Sequence, residues 1–512
     1  MVLQTETCNM DNTLPCTYSK FKTKPYRHQL DCLNKFGQRP YFALLAEMGT
    51  GKSWIIINNL ADLWASNDCY GALILAPNGV HLNWILNEIP MHMPDWVQYT
   101  AVAWNARATK NERFALQAIL ENQGEKLRIL TMNHEALQTK KGYEFAVKFL
   151  QSVALPMLAV DESDAYKTPS AIRTKNLMHL KRFSKWRRIL SGTPVNNAPF
   201  DLFSQFGFLD EHILGTSSFY AFKAEYSELI DENSSLAYAI RRRSGSARLP
   251  QIVARDAYGR PKYKNLDKLN SLIAPYSYRV LKADCLDLPS KIYKTLYFDL
   301  TTEQRKHYLM ADEECRLVFE GDATPFNKLV AVTKLAQITS GYYIHPLSDG
   351  EPVRIAGENP KLALLLDRVK TIVQGGGKVI VWARYRIEIS DICAALAENG
   401  IQFVEYHGGV TTDDRTANLH AFQNGTASVF VGNQQAGGTG ITLTAANYVI
   451  YFSNSFSLRD RLQSEDRAHR IGQKNNVTYI NIAARNTIDE IVVRALLSKK
   501  NVADCILARD KW

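Results

Sequence analysis

Two series of short, unbroken apolar runs rich in β-branched residues constrain this chain more than any other feature. The first series occupies residues 41–45, 72–76, 127–132, 157–160 and 188–190. The second occupies 379–383, 403–406, 428–431, 448–452 and 477–482. Each run is followed by a turn and a helical stretch. A strand needs a continuous apolar run when helices cover both faces of its sheet, and strand–helix alternation enforces parallel pairing. The pattern therefore predicts an α/β fold of two tandem parallel-sheet lobes. The expected divisions are a first lobe over 1–215, helical insertions and an interlobe connection over 216–355, and a second lobe with a C-terminal helix over 356–512.

Composition narrows the class further. With 46% apolar and 22% charged residues the chain has the make-up of a globular protein, not a disordered or collagenous one. Lys and Arg number 61 against 51 Asp and Glu, a formal charge of +10. That excess favours a polyanionic partner. No run approaches the roughly 18 apolar residues of a membrane-spanning helix. The opening MVLQTETCNMDNTLPC carries acids and amides where a signal peptide needs a basic start and an apolar core, so a soluble, non-secreted protein is expected. The eight cysteines include no CxxC pair and no zinc-spaced cluster, which points to reduced thiols.

Three motifs carry chemistry. AEMGTGKS, residues 46–53, sits between the strand YFALL and the helical SWIIINNLADLW, the context a phosphate-binding loop requires. Met48, Gly49, Thr50 and Gly51 would let backbone N–H groups wrap phosphates at a helix N-terminus. Lys52 would reach the β and γ phosphates and Ser53 would hold Mg²⁺. LAVDESDAYKTP, residues 158–169, ends a buried strand in acids. Alone this is commonly a solvated turn; downstream of a phosphate-binding loop, Asp161 is a Mg²⁺ ligand and Glu162 the base for an attacking water. QSEDRAHRIGQK, residues 463–474, places Arg467 and Arg470 three apart, hence on one face if helical. Two guanidiniums there would suit a γ-phosphate in transfer, although an isolated pair would read as a solvent face. His469 lies off that face and reads as structural.

Read together and in order, these segments resemble the Swi/Snf-related ATPases of helicase superfamily two, from about Lys24 to about Ile506. DRAHRIGQ is the most family-specific string. The resemblance implies RecA-like lobes, ATP and Mg²⁺ as nucleotide and metal, and an ATP site between the lobes. Gln29 in KPYRHQLDCL would read the adenine. Pro77 and Asn83 in ILAPNGVHLNW, and Asn133 in ILTMNHEAL, would touch a nucleic-acid strand. RRILSGTPVNN would be the coupling motif, with Ser191, Gly192 and Thr193 at its centre. Arg384 in KVIVWAR and His407 in YHGG would contact DNA from the second lobe. In VGNQQAGGTGITLT, Gly437 and Thr442 would face DNA, and Gly438 and Gly440 the nucleotide. Asp164 stands where relatives often carry His, which puts the usual link to the arginine motif in question; Gln463 is an alternative partner.

The activity implied is that of a DNA-stimulated ATPase translocating on double-stranded DNA, branched DNA included, with little sequence preference. The alternatives are a branch- or fork-remodelling helicase and a nucleotide-gated DNA clamp with weak hydrolysis. A monomer is expected, in the cytoplasm of a bacterial or virus-infected cell, or in a nucleus if the source is eukaryotic; an unidentified protein partner would fit as well. The compact length argues against appended chromatin-reading domains. Among lesser features, KRFSKWRR (181–188) reads either as a solvated helix face or as a phosphate-facing one, and RRRSGSAR (241–248) as a DNA-contact loop. Trp84, Trp382 and YSYR (276–279) read as packing.

Overall fold

The computed structural model describes residues 20–498, apart from 122–123, 193, 196–197, 232, 235–236, 239–241, 243–250, 257–260, 286–287, 321–324, 345–349 and 435–439. The chain divides into two compact units, 1–253 with 263–285 and 254–262 with 286–512.

The first unit is built on strands β1 (Tyr41–Ala46), β2 (Gly71–Ala76), β3 (Tyr99–Ala103), β4 (Leu127–Asn133), β5 (Met157–Asp161), β6 (Trp186–Leu190) and β7 (Ser277–Val280). They form one seven-stranded sheet in the order β3-β4-β2-β5-β6-β1-β7, every pairing parallel. Alternate residues feed opposite faces, as the two-residue strand period requires. In β2, Leu73 and Leu75 join one apolar cluster while Ala72, Ile74 and Ala76 join the other. A sheet buried on both sides in this way explains why its central strands read as continuous apolar runs.

The second unit carries β8 (Lys291–Phe298), β11 (Val379–Trp382), β12 (Phe403–Tyr406), β13 (Val429–Gly432), β14 (Tyr448–Tyr451) and β15 (Val477–Ala484). Their order is β12-β13-β11-β14-β15-β8, again parallel throughout. Val379 and Val381 of β11 face one core and Ile380 and Trp382 the other. A small antiparallel hairpin, β9 (Tyr342–Ile344) with β10 (Pro352–Arg354), lies outside this sheet. These are the two parallel sheets expected. Among the described residues, no helix is long and apolar enough to cross a membrane.

The stretch 216–355 is not a helical region of its own. It gives β7 to the first sheet and β8 to the second, with β8 paired along all eight residues to β15. Helices Thr302–Glu320 and Pro325–Thr339 do lie within it. The chain thus changes unit after residues 253, 262 and 285, all within this stretch.

Candidate nucleotide and nucleic-acid sites

Helix α1 (Arg27–Phe36) and helix α2 (Lys52–Ala65) frame the phosphate-binding loop. Gly51 caps α2 in the left-handed region, φ 83° and ψ 39°, and Gly49 is also left-handed at φ 77°. A side chain at 51 would be strained by that backbone conformation, and its Cβ would also displace the Gln29 amide. Gln29 is 2% exposed; its Oε1 accepts the Tyr26 N–H at 2.8 Å and its Nε2 faces the Thr50 and Gly51 carbonyls at 3.5 Å. His28 reaches the same Thr50 carbonyl at 2.8 Å. α1 therefore shapes the loop from below. Lys52 Nζ turns back across the loop to the Ala46 carbonyl at 3.0 Å. Glu47 is tied to the end of β7 and the chain just past it, with its N–H on Val280 O and its Oε2 accepting from Lys282 N. Ser53 follows Lys52 in the first turn of α2.

The acids stand one strand away. β6 lies between β1 and β5, so one strand separates Asp161 from the strand that leads into the loop. Ser191 and Gly192, just past β6, fill that gap. Ser191 N donates to Leu44 O, and a Cβ at 192 would meet Met48 N at 3.3 Å. Strand β5 ends on Asp161, and Glu162 turns sharply at φ 50°. Burial pushes the Asp161 carboxyl up to about 7, and neighbouring Glu162 adds to this; the Lys52 ammonium, the Trp84 indole and the Glu162 N–H pull against it. Two adjacent acids at a strand end, the first of them buried, suit a divalent cation. That fit, with hard oxygen donors in Asp161 and Ser53, is of the kind Mg²⁺ takes. Asp164 is buried in the following turn, Ser163–Tyr166.

The strand-contact candidates of this unit gather at the carboxyl edge of the sheet, where open α/β sheets bind ligands. Pro77 follows β2 and Asn133 closes β4, and these two strands are paired with Ala76 opposite Asn133. Asn133 Nδ2 donates to Glu135 and Asn83 Nδ2 to Glu88, at 2.9 and 3.2 Å. Thr193 lies outside the described residues. The basic run 181–188 is divided: Lys181–Phe183 form a single helical turn with no buried residue, but the end of the run does not face solvent or phosphate. Its last residues form β6, and Arg188 is fully buried, donating to Asn59 Oδ1 and to the carbonyls of Pro40, Arg187 and Gly37. Of 241–248, only Arg242 is described.

In the second unit the helix Leu458–Ala468 carries Arg467, but Arg470 lies beyond its end, so the two do not share a helical face. The physical reason is that other groups take the helix's last carbonyls. Leu443 N donates to Arg467 O at 2.9 Å, and Gln473 Nε2 donates to Ala468 O at 3.2 Å as well as to Thr444 and Ala446. Both arginines nonetheless address one segment, since Arg470 Nη1 lies 3.5 Å from Ile441 O. Gly440, left-handed at φ 71°, opens that segment and Thr442 is half-buried within it. Gly437 and Gly438 lie outside the described residues. His469 is structural, with Nε2 on the Pro289 carbonyl at 2.7 Å.

Arg384 follows β11. Its guanidinium lies 4.1 Å from the Phe456 ring centre, and its N–H is held by Glu388 and Ser453. It lines a polar cavity of about 520 Å³ with Tyr385, Asn433, Gln434, Ser455 and Asp460. His407 accepts the Gly409 N–H at Nδ1, so Nε2 carries the proton directed at Glu405, 3.1 Å away. Trp382 is core, as expected, and Tyr276 and Tyr278 pack on Tyr41 and Phe36.

Sequence reasoning missed two features. One is Trp84, which is more than packing because its indole N–H donates to Asp161 Oδ2 at 3.2 Å across 77 residues; no sequence signal marks that pair. The other is Arg461 with Glu465, a buried ion pair at 2.9 Å, for which the i, i+4 spacing was the signal.

The sequence matches the SNF2-related domain over residues 38–340 and the helicase conserved C-terminal domain over 361–472. It is 27% identical over 477 residues to the chromodomain-helicase-DNA-binding protein 1-like of Mus musculus, covering 90% of this chain and 47% of that protein. It is 26% identical over 482 residues to an uncharacterized ATP-dependent helicase of Mycoplasma genitalium, covering 93% of this chain and 41% of that one. The chain thus spans less than half the length of these relatives. A solved Sulfolobus solfataricus SWI2/SNF2 ATPase core in complex with dsDNA aligns over 94% of this chain and 92% of its own, at 22% identity and a TM-score of 0.40. With the first of these matches covering more than half of its residues, the chain belongs to the SNF2-related family.

Proposed function

We propose that this chain is a DNA-stimulated ATPase that translocates on double-stranded DNA. One observation carries the reading most directly. Lys52 opens α2 just past the carboxyl end of β1, and Asp161 and Glu162 close β5 at the same end of the parallel sheet, with Ser191 and Gly192 after β6 between them. Family membership, relatives named as ATP-dependent helicases, and a formal charge of +10 support it.

Phosphoryl transfer needs positioning and charge neutralisation more than covalent chemistry. The backbone of residues 48–51 and the Lys52 ammonium would hold the triphosphate. Gln29 would contact the base. Glu162 would orient a water and take its proton as the oxygen attacks the γ-phosphorus and the bridging bond to the β-phosphate breaks. A magnesium ion, when held by Ser53 and Asp161, supplies further positive charge to the phosphate oxygens. Arg467 and Arg470 would stabilise the charge that shifts to the leaving oxygens. Pro77, Asn83 and Asn133, with Arg384, His407 and Thr442, are the proposed DNA contacts.

ATP turnover measured with blunt duplex, branched duplex, single-stranded DNA and RNA tests the reading. Duplex DNA should stimulate, with affinity falling steeply in salt. Lys52→Ala and Glu162→Gln should bind DNA yet fail to turn over ATP. Arg470→Ala should lower kcat more than nucleotide affinity. Normal turnover in the first two variants refutes the assignment; stimulation by branched DNA alone would favour a remodelling helicase over a plain translocase.

A further inference from the structure

Asp161 is held at both oxygens. Oδ1 accepts the Glu162 N–H at 3.1 Å, and Oδ2 accepts the Trp84 indole N–H at 3.2 Å. The first bond is local and follows from the turn after β5. The second comes from a different element. Trp84 is 1% exposed and opens a π-helical turn, Trp84–Glu88, that continues directly from helix α3 (Val80–Asn83). Such turns concentrate at functional positions because the widened register re-aims a side chain. α3 begins after Gly79, is tied to β4 by Thr131 Oγ1 donating to His81 O at 2.8 Å, and ends on Asn83. Asn83 in turn shares hydrogen bonds with Asn87 and Glu88 of the same π turn.

The indole that orients the acid and the amide at the sheet's carboxyl edge are therefore consecutive residues on one short rigid piece. We infer that Trp84 is a positioning residue for Asp161, through which occupation of the 77–83 segment by a nucleic-acid strand tightens divalent-metal binding at the acid. The inference rests on the proposed function for Asp161 and Asn83, and adds the physical link between them. A donor that fixes one carboxylate oxygen sets the direction of the remaining lone pairs. Partners of this kind typically change metal affinity by about 10–100-fold when lost.

The test is Mn²⁺ binding in the presence of AMP-PNP, read by electron paramagnetic resonance of the free ion. Trp84→Phe keeps an aromatic ring in the core and removes the donor. It should weaken Mn²⁺ by about 10–100-fold. Blunt duplex DNA should tighten Mn²⁺ in the wild type and leave Trp84→Phe unmoved. Benzothienylalanine at position 84 replaces N–H by sulfur at constant shape, so it gives the same reading if the phenylalanine variant folds poorly. Unchanged Mn²⁺ affinity in Trp84→Phe, or duplex tightening equal to that of wild type, overturns the inference. Asp161→Asn separates the two levels. If that variant also binds Mn²⁺ normally, the assignment of the acid itself falls; if it loses Mn²⁺ while Trp84→Phe does not, only the role of Trp84 falls.

Discussion

The ion pair under the arginine segment gives a sharp energetic prediction. Arg461 is 2% exposed, donates to Glu465 Oε1 at 2.9 Å and to Asn454 and Asn481 at 2.9 and 2.6 Å, and lies 3.5 Å from the Tyr451 ring centre. Glu465 also accepts from Lys291 at 3.0 Å and from the Tyr293 hydroxyl at 2.7 Å. Removing one partner of a buried pair strands the other. Glu465→Met leaves the Arg461 cation with two amide oxygens and the Tyr451 ring face but no counter-charge, and should cost about 3–5 kcal/mol. Arg461→Met is milder, about 1.5–3 kcal/mol, because Glu465 keeps Lys291 and Tyr293. The double variant leaves no buried charge unpaired and should recover about 2 kcal/mol or more relative to Glu465→Met. Burial alone would raise the Glu465 carboxyl, but Lys291, Arg461 and Tyr293 together hold it below its ordinary 4.5. A lowered folded-state value means the contribution is complete above 4.5 and is lost as pH falls through the lowered value. The gap between wild type and Glu465→Met should therefore shrink on strong acidification. Urea unfolding read by hydrogen exchange of peptides spanning β15 and 458–468 isolates the second unit's own transition. Costs that add within about 0.5 kcal/mol, or a gap that does not change with acid, would refute the coupled-network account.

Three further outcomes follow from particular contacts. Gly51→Ala, forced into the left-handed region and against Gln29, should cost about 1–2 kcal/mol in backbone strain and raise the KM for ATP, checked by thermal melting and steady-state kinetics. Arg188→Met should destabilise the first unit yet leave the salt dependence of DNA binding unchanged; a slope reduced by about one would place Arg188 on a phosphate after all. Burial pushes the Cys32 thiol up to about 12 and Cys69 up to about 11, so site-resolved iodoacetamide labelling at neutral pH should modify both only after unfolding.

What the sequence made legible and what it hid divide along burial. Ten strands were readable because both of their faces are covered and a continuous apolar run has few other uses. The strands missed are β3, β7 and β8, at the edges of the two large sheets, and the β9–β10 hairpin outside them; of the four edge strands only β12 was legible. β8 reads KIYKTLYF, with Ile292, Tyr293 and Tyr297 exposed, and an edge strand with one open side loses the apolar continuity that marks a central one. Its assignment to the second sheet rests on pairing with β15, nearly 190 residues later, which no local pattern encodes. The basic run ending at Arg188 misled for the opposite reason. A guanidinium can be buried where backbone carbonyls converge on it, and those carbonyls are invisible in the side-chain sequence.

The site shows the same division at finer grain. A phosphate-binding loop is local, so its glycines, lysine and capping geometry are all written within eight residues. The arginine segment is local in composition but not in shape. Periodicity alone would continue the helix through Arg470, and it stops at Ala468 because Gln473 and Leu443 compete for the carbonyls that a further turn would need. Ending the helix there moves Arg470 from a helical stripe to a loop anchored on Ile441, the stretch that Gly440 opens. An arginine on such a loop can shift with its anchor, whereas one fixed on a helix moves only with the whole lobe. Under the proposed function that arginine meets the γ-phosphate, and the Gln473 amide, within hydrogen-bond reach of the Thr444, Ala446 and Ala468 carbonyls, is what keeps its loop in register.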